Sequence, residues 1–92
     1  MPNNSEVDSD RVIRIVLDVA GKYSVPTNAP AIKGKKLTTN LDYTDDLLDS
    51  LQIELDKYVK SINPNSAITD AELEDCETVG DVLDLVEKKL NS

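Results

Sequence analysis

The chain predicts an all-α fold: a small four-helix bundle, with three long helices, one short third helix, and a long loop between helices one and two. Three observations predict it. Apolar residues recur at helical spacing in three separate stretches. Asp, Ser or Thr stands ahead of each stretch as a cap. No run alternates with the two-residue period of a strand. At 92 residues there is room for one modest core. Residues 1–9 read as a flexible tail and 10–92 as the domain.

The first helix is expected at about 9–23. Asp8, Ser9 or Asp10 can cap it, and Val12, Ile15, Val16, Val19 and Tyr23 form its stripe. Gly21 lies near its end. Residues 24–46 follow as a loop punctuated by Pro26, Pro30 and Gly34, with Ile32, Leu37, Leu41 and Tyr43 as apolar anchors. A loop this long inside a small domain is often functional.

The second helix is expected to start at Asp49 or Ser50. Leu51, Leu55, Tyr58, Val59 and Ile62 make its stripe, and Pro64 ends it by keeping Asn63 out of the helical region. Thr69 or Asp70 caps a brief third helix at about 70–75. Thr78 caps the last, whose stripe is Val79, Val82, Leu83, Val86 and Leu90. Lys88 and Lys89 in its final turn suit the helix dipole.

Composition removes many functions. The chain has no His and one Cys, Cys76. A structural zinc site therefore lacks ligands, no internal disulfide can form, and a catalytic Ser or Cys would lack an imidazole base. Cys76 reads as a small core residue between the third and fourth helices, and not as a nucleophile, because its neighbours Asp75 and Glu77 disfavour a thiolate. No apolar run is long enough to cross a membrane, and MPNNSEVDSD has neither part of a signal peptide. Asn3-Asn4-Ser5 fits a glycosylation sequon that is idle without secretion. We expect a cytoplasmic, non-catalytic monomer.

The net charge is −8, which disfavours nucleic acid and anionic membranes. The charge is unevenly divided. Residues 1–36 hold six basic and four acidic side chains, whereas 37–92 hold four and fourteen. Asp42, Asp45, Asp46 and Asp49 crowd the expected start of helix two. An EF-hand is excluded there, because the turn Gly and the closing Glu are missing. The plain reading of these acids is a solvated face. The functional one is a docking surface that steers basic partners.

The stretch Asp45-Asp46-Leu47-Leu48-Asp49-Ser50-Leu51 resembles the prosthetic-group site of acyl carrier proteins. In that family an Asp-Ser-Leu triplet opens the second helix. The helix order agrees, as do the segments Ala67-Ile68-Thr69-Asp70 and Glu77-Thr78-Val79-Gly80-Asp81 and the 28-residue spacing from Ser50 to Thr78. The family's Gly before the triplet is replaced by Leu47-Leu48, and the loop is expanded.

The resemblance implies a carrier that holds acyl groups as thioesters on a 4′-phosphopantetheine arm attached to Ser50 and presents them to enzymes of fatty acid, polyketide or related biosynthesis. It makes Asp49 and Leu51 contacts of a phosphopantetheinyl transferase, which attaches the arm. It makes Asp45, Asp46 and Glu54 docking residues for acyl-activating, ketosynthase or acyltransferase enzymes with basic patches. With the stripe geometry, it suggests an acyl pocket at Leu55, Val59, Ile68 and Leu73. A helix N-terminus would also favour the phosphate. Two alternatives stand: an unmodified acidic helical adaptor in which Ser50 is simply an N-cap, and an aminoacyl or peptidyl carrier, favoured by the Leu-Leu-Asp-Ser form.

Overall fold

Helical stripes with nothing to pair as strands leave burial against one another as the way to remove apolar surface from water. A computed structural model describes residues 9–22 and 30–91, and the expectations for residues 1–8 and 23–29, including Tyr23 in the first stripe, lie outside it. Five α-helices and one 3-10 turn follow in order: α1 (Ser9–Val19), the 3-10 turn (Pro30–Gly34), α2 (Leu37–Asn40), α3 (Asp45–Ile62), α4 (Asp70–Glu74) and α5 (Val79–Leu90). No strand occurs among the described residues, where an antiparallel bridge joins Lys36 to Thr78.

The expected helix boundaries need three corrections. α1 ends at Val19, before 23, because Gly21 takes a left-handed φ of 75°. Gly21 N–H then donates to the Asp18 carbonyl and Lys22 N–H to the Leu17 carbonyl, at 3.1 and 2.8 Å, which closes the last turn. The segment 24–46 is not a plain loop: the 3-10 turn and α2 interrupt it. α3 starts four or five residues earlier than expected, since Thr44 accepts the Leu47 N–H at 3.3 Å and takes the capping role assigned to Asp49 or Ser50. Asp45 and Asp46 occupy the first turn of α3, where carboxylates favour the dipole.

The other boundaries follow their sequence signals. Asn63 leaves the helical region at φ −132° and ψ 91°, immediately before Pro64. Thr69 and Thr78 both form complete capping boxes, with Glu72 and Asp81 reaching back. Asp81 accepts the Glu77 and Thr78 backbone N–H groups at 2.9 and 3.2 Å, and these bonds lower its pKa, the Glu77 bond most.

The core draws on every helix. α3 packs on α1, α4 and α5. α1 buries Val12, Ile13, Val16 and Leu17, while Ile15 and Val19 are only partly covered. Its stripe is thus turned from the expected one, because α1 packs on both α3 and α5. Ile32, Leu37, Leu41 and Tyr43 are buried as expected. The Tyr43 hydroxyl donates to the Val16 carbonyl at 2.5 Å and ties the connection to α1. Burial also pushes this phenol's pKa up, so its proton is held well above the ordinary tyrosine range.

The connection is pinned to the start of α5 as well. Leu37 N–H donates to the Glu77 carbonyl at 2.9 Å, and Val79 N–H donates to the Lys35 carbonyl at 3.0 Å. Gly80 faces this joint: a Cβ there would meet the Lys33 carbonyl oxygen at 3.1 Å. In an open helix, Gly→Ala gains about 0.5–1 kcal/mol. Here overpacking against backbone outweighs the gain, and Gly80→Ala is expected to lose about 1 kcal/mol. Thermal unfolding by circular dichroism reads the sign, and a raised midpoint would show that the joint yields freely.

Candidate functional site

Ser50 lies on the outer face of α3, in its second turn. At that depth its backbone N–H is within the helical ladder, so the free N–H groups expected to meet a phosphate belong to the first turn instead. Ser50 and Asp49 are both exposed. At 100° per residue, Asp46, Asp49, Ile53, Glu54 and Lys57 surround Ser50 on the same outer face.

Leu51 needs a correction. It was expected to be a partly exposed contact, but it has no exposed surface. The residue spacing governs here: Leu51 leads the buried series Leu51, Leu55, Val59, the stripe that faces the core. Ile62, expected on the same stripe, is 40% exposed near the helix end. The apolar contact available beside Ser50 is Ile53, which is 51% exposed. No stripe marks Ile53, and its presence on a charged helix face was the signal that could have found it.

The expected docking acids Asp45, Asp46 and Glu54 are all exposed. Glu54 is 3.6 Å from Lys57 in an i,i+3 pair, which contributes little when both ends are wet. Leu55, Val59, Ile68 and Leu73, the expected acyl pocket, belong to one core cluster with exposures of 0, 0, 1 and 0%. This region is closed core, and an acyl chain could enter only by parting it. Two polar links hold α3 to the start of α4: Gln52 Nε2 donates to the Ile68 carbonyl at 2.6 Å, and Ile68 N–H donates to Asp56 at 3.1 Å. The Lys60 ammonium, followed by that backbone bond, holds the Asp56 carboxyl below its usual pKa.

Open space lies on the other side of α3. A cleft of about 300 Å³ is lined by Ile15, Asp18 and Val19 of α1 and by Ser50 and Glu54 of α3. Another, of about 280 Å³, shares Ile15 and Glu54 and extends to Arg11, Tyr58 and Ser61. The sequence pattern did not mark this groove, because α1 and α3 meet only in the folded chain.

A third cleft, of about 360 Å³, lies between α4 and α5 and includes Glu72, Cys76, Asp81 and Asp84. No group of metal ligands forms among the described residues. Glu72 accepts from Lys89 at 2.7 Å, and this bond, chiefly, depresses its pKa. Cys76 is half-buried, as a small residue packed on the core. Burial, then the charges of Asp81, Asp75, Glu72 and Asp84, push its thiol up to about 11. At pH 8 its alkylation is expected to run ~10²-fold slower than that of a free thiol, rising toward pH 11. Iodoacetamide labelling followed by mass checks this, and free-thiol rates at pH 8 would contradict it.

Among the described residues, no helix is long and apolar enough to cross a membrane. Compared with known proteins, the chain matches no family model, no curated protein and no solved structure at a significant level.

Proposed function

We propose that this protein is a carrier that holds acyl or aminoacyl groups as thioesters on a 4′-phosphopantetheine arm at Ser50. The observation that carries the reading is an exposed serine on the outer face of α3, immediately preceded by an exposed Asp. The reading takes the 3-10 turn and α2 as elaborations of the connection, with α1, α3, α4 and α5 standing for the four helices the resemblance implies.

In this reading Ser50 Oγ attacks the pantetheine-bearing phosphorus of coenzyme A. A P–O bond to Ser50 forms, the phosphoanhydride bond breaks, and 3′,5′-ADP leaves. The hydroxyl proton goes to a base on the transferase, which suits a chain without His. Asp49 sits beside the hydroxyl in sequence, where it would help hold the transferase's metal-bound complex. Asp45, Asp46 and Glu54 supply charge that steers a basic enzyme toward Ser50. The protein itself catalyses nothing.

Intact mass after incubation with coenzyme A and a broad-specificity phosphopantetheinyl transferase tests the reading. One added phosphopantetheine supports it, and an unchanged mass with several transferases refutes it. One observation favours the acidic adaptor as a second reading: Ile53 is exposed on a mainly acidic helix face, with Asp49, Glu54 and Lys57 as neighbours at helical spacing. Such a patch suits a partner with an apolar pocket and a basic rim.

A further inference from the structure

We propose that the groove between α1 and α3 is the bed of the pantetheine arm, which leaves its cargo at the protein surface. The inference rests on the carrier reading and adds where the arm lies. Three observations carry it. Ser50, the attachment residue, itself lines one end of the groove. The two clefts share Ile15 and Glu54, so the trough runs on along α3 to Ser61. The side of α3 facing α4 offers no such room, since Leu55, Val59, Ile68 and Leu73 are sealed.

Length and chemistry fit this occupant. From Ser50 to Ser61 the groove follows α3 for about 16 Å at 1.5 Å per residue, comparable to an extended pantetheine arm. The arm has two amide N–H groups and a hydroxyl as donors. Near Ser50 the exposed carboxylates of Asp18 and Glu54 are acceptors for them, Glu54 while also facing Lys57, which lines the next stretch of the groove, at 3.6 Å. Ile15 and Val19, partly buried, offer apolar contact to the arm's gem-dimethyl group. The lining has too little apolar surface to take up a long alkyl chain as well. Cargo at the tip would therefore lie outside the core, as suits a short or polar acyl group.

The test uses the full chain, isotope-labelled and loaded from a coenzyme A analogue bearing a nitroxide on its thiol, with loading verified by intact mass. Amide signals of Arg11, Ile15 and Tyr58 are expected to lose most of their intensity and to recover when the nitroxide is reduced. Broadening centred on Ile68 and Leu73, or spread evenly over the surface, with the mass gain intact, would overturn the groove assignment and leave the carrier reading standing. An unchanged mass would overturn both.

Discussion

Ser50→Ala is expected to abolish phosphopantetheine transfer completely, while the wild-type chain gains one arm. The variant is structurally mild. Ser50 is exposed within α3, Thr44 supplies the cap, and alanine is the better helix former. Circular dichroism and the melting point should therefore stay within about 0.5 kcal/mol of wild type, so that lost loading reports the missing hydroxyl and not lost fold. An arm on the alanine variant would move the attachment site elsewhere. The early start of α3 sharpens the test. A transferase must take the hydroxyl from a formed helix, or open the first turn and a half to reach it. Loading that speeds up in Thr44→Ala, which weakens the cap by about 1 kcal/mol, would identify the second route.

Leu55→Ala is expected to have the largest effect on stability. Leu55 has no exposed surface, and a leucine truncated in a packed interior costs about 2–5 kcal/mol. That is a large part of the roughly 5–15 kcal/mol that holds a typical domain. In a domain of this size the midpoint should fall by about 4–8 °C per kcal/mol. Ile53→Ala, on the outer face of the same helix, should change stability by less than about 0.5 kcal/mol. The pair also decides whether the α3–α4 side is closed core or a preformed pocket. Leucines lining an open pocket would lose little on truncation, so a small loss for Leu55→Ala would reopen the acyl-pocket expectation.

Some elements were legible because their signals are local. The stripe Val79, Val82, Leu83, Val86, Leu90 is buried along its whole length, since one face of a helix is set by residue spacing alone. Thr69 and Thr78 cap the helices they were expected to cap, because a capping box closes within four residues. Pro64 stops α3 through its effect on the residue before it. Cys76 is partly buried against the core as expected, and its thiol is disfavoured as a thiolate by burial first and then by acids that include Asp75 but not Glu77.

Other features depended on residues far apart in the chain. Several acids and hydroxyls between Thr44 and Ser50 can cap a helix, so local preference could not choose among them. Tyr43 and Leu41, drawn into the core with a hydrogen bond to Val16, place Thr44 at the start. That choice set Ser50 in the second turn of α3 and not at its cap. The turned stripe of α1, the joint between residues 35–37 and 77–79, and the groove beside Ser50 likewise arise only when helices meet. By itself the sequence determined the helical class, the serine with its flanking acids, and most of the core. The tertiary structure decided which side of α3 is sealed and which is open, because closing a core depends on how two surfaces fit and not on the pattern of either one.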